Sequence, residues 1–361
     1  MSPSKGKAKR SWFGRLVRFV FVLGLLAALA AGGAGYWLWQ EFNEPYRGFD
    51  GEQLVTVTPG TNASAILDQL EEVGVLRDAQ LTRLYLIHGL GDPHLKAGEY
   101  RFDQALDAPS VLDKLVRGEV VTYPVTLIEG LTLWQAADAI VAAGFGDREV
   151  LLREMGRGEL VQDLDPLAEN LEGYLYPDPY HFARGTTEAE IVDTLVRTFR
   201  QRYHEEVEHL LGDWEGTVRD LVILASIVER EAQIDEEWPQ IASVYTNRIR
   251  IGMPLQADPT VIYALELAGT YDGNIRRPDL RYDSPYNTYV YPGLPPGPIC
   301  SPAVKSLVAV ARPADTPYFY FVSRNDGTHV FARTLDEHNR NVNEWQKRYW
   351  RRRWAAERSG K

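Results

Sequence analysis

The chain has 361 residues, 45% hydrophobic and 11% aromatic, enough apolar material for one large or two modest cores, which excludes a disordered protein. Residues 1–40 and 340–361 carry +6 each, so a net charge of −11 leaves −23 to the body between them; such an acidic body argues against a nucleic-acid ligand, because phosphate binding needs a basic surface. The single cysteine, Cys300, excludes an internal disulfide, and with no histidine near it in sequence it reads as a small buried side chain, not a nucleophile.

Phe19 to Trp39 contains no charge and is as long as the roughly 20 residues a helix needs to cross a bilayer. Lys5, Lys7, Lys9, Arg10, Arg15 and Arg18 precede it, and Tyr36, Trp37 and Trp39 stand where interfacial aromatics belong. This pattern predicts a cytoplasmic basic N-terminus over 1–18, a membrane-spanning helix over 19–39 and an exported remainder. A cleaved signal peptide is the competing reading, since Ala28-Leu29-Ala30 resembles a cleavage site, but the apolar run continues past it to the aromatic belt.

After a polar linker over residues 40–50, a small mixed module is predicted over 50–124. Its order is strand ("GEQLVTVTPG"), helix capped by Asn62 or Ser64, short helix ("LTRLYLIHGLG"), strand ("LKAGEYRF"), helix stopped by Gly118, strand ("EVVTYPVTLIEG"). A larger, mainly helical region follows over 125–345, with helical patterns at "LTLWQAADAIVAAGF", "DREVLLREM", "EAEIVDTLVRTFRQRYHEEVEHLL", "LVILASIVEREAQ" and "WPQIASVYTNRIRIG". Between and after them lie Gly-, Pro- and Tyr-rich loops, "LEGYLYPDPYHF", "MPLQADPTV" and "YNTYVYPGLPPGPICSPA"; "YFYFVSR", "NDG" and "THVFA" read as a β-hairpin. The basic tail over 346–361 reads as a solvated helix end, with lipid or protein contact through Trp350 and Trp354 as the alternative. The fold class is α+β.

Metal and triad chemistry are poorly supplied. His204 and His209 are five residues apart, about 140° around a helix, so they do not share the face that a zinc-binding i, i+4 pair requires. No Cys/His cluster and no G-x-S-x-G signature occurs, and neither a metal nor a cofactor is expected.

The stretch 221–233, "LVILASIVEREAQ", runs apolar and then sets down Glu229 and Glu231. A carboxylate at the end of a buried helix either finds a partner or keeps its proton near neutral pH, and the second outcome makes a general acid. Val222, Ala225, Ser226, Ala232 and Gln233 surround Glu229, whereas Ile227, Val228 and Ile234 frame Glu231. Periodicity does not choose between them, and a helix end entering solvent is the bland account. The Tyr- and Asn-rich loops offer flat apolar faces with polar edges, the mixture that sugar rings need.

The segments "LEGYLYPDPY" (171–180), "LASIVERE" (224–231), "NRIRIGMPLQADPTVIY" (247–263), "YNTYVYPGLPPGPICSP" (286–302) and "TPYFYFV" (316–322) resemble, in order and interval, the endolytic murein transglycosylases of the MltG (YceG-like) family. The likeness covers most of residues 50–345. It implies a single-pass protein of the bacterial inner membrane with a LysM-like module over 50–124 and a catalytic domain over 125–345. Its substrate would be peptidoglycan glycan strands, with wall-synthesis proteins as candidate partners. The family's catalytic acid, the first of its "SIVE" motif, falls on Glu229, and Glu172, Asn247, Gln256, Asp258, Tyr286 and Asn287 are the positions it implies for glycan binding. The resemblance implies cleavage between N-acetylmuramic acid and N-acetylglucosamine with closure of a 1,6-anhydro ring, which terminates strand growth. Two departures stand out: "TLIEGLT" lacks the proline of the usual "IPEG", and Cys300 stands where the family often has alanine. A non-catalytic, membrane-tethered peptidoglycan-binding scaffold is the alternative from another class, and a hydrolase is a third.

Overall fold

The computed structural model describes residues 9–351 and 353. Lys5 and Lys7 of the basic N-terminus, and Arg352, Trp354 and the residues after it in the basic tail, lie outside them. Helix α1 (Lys9–Asn43) contains a stretch, Gly14–Asn43, long and apolar enough to cross a membrane, and its most apolar window is unburied. The remainder is a mixed α+β chain with a mostly helical body, and it divides into two compact units.

The first unit, up to Thr122 with residues 183–185, orders β1 (Gln53–Val57), α2 (Ala63–Glu72), α3 (Ala79–His88), β2 (Gly98–Phe102) and α4 (Ala108–Arg117). β1 and β2 pair antiparallel with Val55 opposite Tyr100, so the alternate residues Val55, Val57, Tyr100 and Phe102 all point inward. Asn62, Asp78 and Asp107 accept backbone N–H groups of the helices that follow them, and Gly118 ends α4 in a left-handed conformation. Ile66, Leu67, Leu70, Leu86 and Leu112 complete its core.

The second unit begins at Tyr123. β3 (Thr122–Thr126) pairs with β4 (Pro179–Ala183), a strand the sequence presents as part of a loop. α5 (Leu133–Ala142), α6 (Arg148–Met155) and α7 (Glu188–Arg202) share its core, α6 packing against both of the others, and α5 and α7 start in reciprocal capping boxes at Thr132/Gln135 and Thr187/Glu190. The chain then enters α8 (Val218–Glu231), started by Thr217 and Asp220, in which every residue from Leu221 to Val228 is buried. A helix apolar on all sides belongs in the middle of a domain, and α9 (Trp238–Arg250), α10 (Asp258–Leu267) and α11 (Val304–Ala311) pack around it. A hairpin of β5 (Tyr320–Ser323) and β6 (His329–Ala332), as its turn sequence predicts, leads to α12 (Leu335–Asn341).

Three helices, α10, α11 and α12, escape the sequence pattern. α10 opens on Asp258-Pro259, which reads as a loop although proline is well suited to the first turn of a helix. α11 follows a proline-rich loop and has no side-chain cap of its own at Ala303.

The start of α8 is fixed by a buried ion pair. Asp165, wholly buried, accepts from the Arg219 guanidinium and from the Tyr174 hydroxyl at 2.8 Å, while Arg219 also donates to the Pro296 carbonyl. Removing one member of a buried pair strands the other. Asp165→Ala is therefore expected to lower unfolding stability by about 3–5 kcal/mol, read from the denaturant midpoint; a loss below about 1 kcal/mol would show that the pair does not hold α8.

Candidate active site

Glu229 and Glu231 stand two residues apart at the end of α8, about 200° around its axis, so they leave the helix in nearly opposite directions. Glu231 lines a cleft of about 450 Å³. From α9 come Tyr245 and Arg248, from the loop into α10 come Gln256 and Asp258, and Tyr289, Tyr320, His329 and His338 complete much of its wall. The Tyr245 hydroxyl donates to Glu231 Oε1 at 3.0 Å, and among the described residues it alone is seen to hydrogen-bond this carboxyl. Burial pushes Glu231 up to about 7; the Tyr245 hydrogen bond and the Arg248 charge oppose the rise, and the Asp258 charge adds to it. Such a group holds its proton near neutral pH and can release it, which is what general acid chemistry demands.

The opposite side of the helix carries Glu229, which is also partly exposed. Glu229 Oε2 accepts the Ala303 N–H at 2.9 Å and the Ser306 hydroxyl at 2.7 Å, so Glu229 supplies the missing cap of α11. Trp238 Nε1 donates to the same Ser306 oxygen at 2.7 Å, extending the network into the core. Burial raises the pKa of Glu229 as well, against the Ser306 and Ala303 hydrogen bonds and the Lys305 charge. These two donors orient its Oε2, and the residue opens to a side of α8 other than the cleft that Glu231 lines.

The positions implied for glycan binding separate into three groups. Gln256 and Asp258 join Glu231 in the cleft, Gln256 with a left-handed backbone, φ +48°, and with its N–H donating to the Thr288 carbonyl at 3.2 Å. Glu172 and Tyr286 line a separate recess of about 90 Å³. Glu172 is buried and accepts the Leu133 N–H, the first of α5, at 3.2 Å and the Tyr263 hydroxyl at 3.1 Å; the Tyr263 ring lies between Trp134 and Tyr286, 5.3 and 4.9 Å away. Asn247 and Asn287 are braces. Asn247 donates to the Thr316 and Tyr318 carbonyls at 2.8 and 3.0 Å. Asn287, with no exposed surface, donates to the Leu280 and Tyr282 carbonyls and accepts the Tyr289 N–H at 3.0 Å, so its amide is consumed in shaping the loop.

Sequence reasoning did not find Tyr245, Arg248, Tyr289, His329 or His338. Tyr245 and Arg248 carry a signal, since a spacing of three puts them on one face of α9. The two histidines reach the cleft only through tertiary folding, His329 being held by Glu237 at 2.6 Å. Among the described residues no cluster of three or more metal-ligating side chains occurs.

Burial also raises Glu172 to about 8, despite the Leu133 N–H and the Tyr263 hydroxyl. For Glu172 and Glu231 the folded value exceeds the ordinary carboxylate value of 4.5, so the folded chain holds protons that the unfolded chain releases. That contribution to stability is fully present below about pH 4.5 and is lost as the pH rises through about 7 to 8. The unfolding midpoint should fall across this window, and Glu172→Gln should flatten the fall; an unchanged slope in the variant would contradict the assignment.

The YceG-like family profile matches residues 55–344. A Bacillus subtilis protein named endolytic murein transglycosylase is 31% identical over 301 residues, 79% of this chain and 82% of the relative. A Streptococcus pneumoniae protein of the same name is 27% identical over 358 residues, 89% of this chain; the match spans 64% of that longer relative. The crystal structure of a yceG-like protein from Listeria monocytogenes superposes with a TM-score of 0.53 at 32% identity, covering 80% of this chain and 98% of that one. With a profile match that reaches from β1 past α12, the chain belongs to the YceG-like family.

Proposed function

We propose that the chain is a peptidoglycan-cleaving lytic transglycosylase that uses Glu229, the first acid of its "SIVE" motif, as its acid and base. The relatives' name supports the reaction class. The observation that carries the residue assignment is the setting of Glu229, partly exposed at the end of α8, held by the Ser306 hydroxyl and the Ala303 N–H on one oxygen while burial raises its pKa. Glu231, bonded to Tyr245 in a separate cleft, is the second candidate.

Protonated Glu229 gives its proton to the glycosidic oxygen as the C1–O bond breaks, and the leaving sugar keeps the bonding electron pair. Positive charge develops at C1 of the muramic residue. The resulting Glu229 carboxylate takes the proton of the C6 hydroxyl, whose oxygen bonds to C1 and closes the 1,6-anhydro ring. One side chain thus serves both steps, and no water is consumed.

We read residues 50–124 as a LysM-like module and 125–345 as the catalytic domain; the β1-α2-α3-β2 order supports the first assignment. α1 serves as a single-pass anchor with the N-terminus inside. It ends against the first unit, where Phe42 meets Tyr85 with ring centroids 5.0 Å apart and Glu41 pairs with Arg77. This tether holds the chain beside the bacterial inner membrane, where strands are made, and raises its effective concentration against nascent glycan and the proteins that build it.

Glu229→Gln should cut release of anhydro-ended products from uncrosslinked glycan by about 10²–10⁴-fold with folding retained. Glu231→Gln should retain activity within about tenfold. Mass spectrometry identifies the reaction, because hydrolysed ends are heavier by one water. Wild-type turnover by Glu229→Gln would move the assignment to Glu231.

A further inference from the structure

The two oxygens of the Glu229 carboxyl are unlike. Oε2 accepts two protein donors, the Ala303 N–H at 2.9 Å and the Ser306 hydroxyl at 2.7 Å. Among the described residues none donates to Oε1, and the side of the residue away from these donors is partly exposed. Behind Oε2 the arrangement continues inward. The Trp238 indole N–H, which can only donate, gives its hydrogen to Ser306 Oγ at 2.7 Å. Trp238 and Ser306 are both buried, and the hydroxyl hydrogen meets no acceptor among the described residues other than Glu229. The indole thus makes Ser306 a donor toward the carboxyl. A cap of α11 asks only that the backbone N–H be accepted. It does not call for a second donor whose direction is set by a third side chain.

We propose that Ser306 and Trp238 are positioning residues that keep the transferable proton of Glu229 on Oε1, so that one oxygen performs both proton transfers. The inference rests on the lytic transglycosylase reading with Glu229 as the acid, and deepens it. A proton on Oε2 would face the Ala303 N–H and the Ser306 O–H, both donors, and would break a buried hydrogen bond. On Oε1 it disturbs neither. In the first step the Oε1–H bond breaks, its proton passes to the glycosidic oxygen, and the electron pair of the C1–O bond leaves with the departing sugar. The two donors on Oε2 stabilise the carboxylate that remains. In the second step Oε1 takes the proton of the C6 hydroxyl, whose oxygen supplies the pair that bonds to C1. No proton has to cross from one carboxyl oxygen to the other between the steps.

The test is Ser306→Ala in the full-length chain in detergent, assayed across pH on uncrosslinked glycan strands for anhydro-ended products. The Ser306 hydrogen bond favours the charged form of Glu229, so its loss raises the affinity for the proton. The alkaline limb of the pH–rate profile should therefore move up by about one pH unit. Turnover should fall about tenfold with KM within about threefold of wild type, the scale of one hydrogen bond to a charged group. The other groups that face Glu229 stay in place. They are Lys305 of α11, Glu129 ahead of α5, Cys300 of the proline-rich loop and Arg230 of α8 itself, which donates to the Gly130 carbonyl at 2.9 Å. Lys305 Nζ pairs with Asp235 and lies 3.9 Å from the centre of the Trp238 ring. Trp238→Phe keeps a ring under Lys305 and removes the N–H. It should move the limb the same way by less, and should add nothing once Ser306 is alanine, because it acts through that hydroxyl. The oxygen itself is read from the carbonyl stretch of protonated Glu229, the infrared band that Glu229→Gln removes. With the proton on Oε1 the carbonyl oxygen is Oε2, so Ser306→Ala should raise the frequency; an unchanged band places the proton on Oε2 and overturns the inference. If Ser306→Ala does not fold, Trp238→Phe carries both readouts. An unmoved limb in the folded variant, a loss confined to KM, or a full Trp238→Phe shift on top of Ser306→Ala would each overturn it as well. Absence of anhydro-ended products from the wild-type chain, or wild-type turnover by Glu229→Gln, would instead overturn the reading on which it rests.

Discussion

The burial of α8 is the constraint on which the second unit depends. From Leu221 to Val228 the helix has no solvent-facing side, so neighbours on all sides fix its rotation and its depth. Its final turn therefore delivers two glutamates along directions set by packing, not by local preference. Asp165 with Arg219 at one end, and the Glu229 cap of α11 at the other, hold the same helix in place, and between them the Ser226 hydroxyl and carbonyl take the Ile299 N–H and the Cys300 thiol of the proline-rich loop.

Three carboxyls are pushed up by desolvation, and their partners tell them apart. Glu172 is buried and accepts the first N–H of α5, whereas Glu229 accepts the N–H ahead of α11 and stays partly exposed. Glu231 accepts one hydroxyl and fronts a cleft. A raised pKa is thus common to all three and does not by itself mark the acid that reacts.

Much of the fold was legible because local signals agreed with tertiary packing. The capping residue Asn62, the helix stop at Gly118, the alternation in β1 and the turn at Asn325-Asp326-Gly327 all act where the sequence places them. α10 and α11 were hidden, one because Asp258-Pro259 looks like a turn, the other because its cap comes from a glutamate 74 residues earlier in the chain. The site was legible in part. Motif resemblance brought out Gln256 and Asp258, which line the cleft, together with Asn247 and Asn287, which brace loops, because a motif records which residues recur and not which way each side chain faces. Periodicity in the uniformly apolar run of α8 could not tell Glu229 from Glu231, because their different surroundings depend on the rotation that packing gives the helix.

The lone thiol has a consequence for the chemistry of the folded chain. Cys300 is wholly buried, donates to the Ser226 carbonyl at 3.2 Å, and is pushed well above the ordinary thiol range by burial. Thiolate is the species that exchanges with disulfides, so the native chain offers oxidants and foldases no handle. The folded chain is therefore indifferent to the redox poise of its compartment, and a cysteine introduced on its surface would be the sole reactive sulfur.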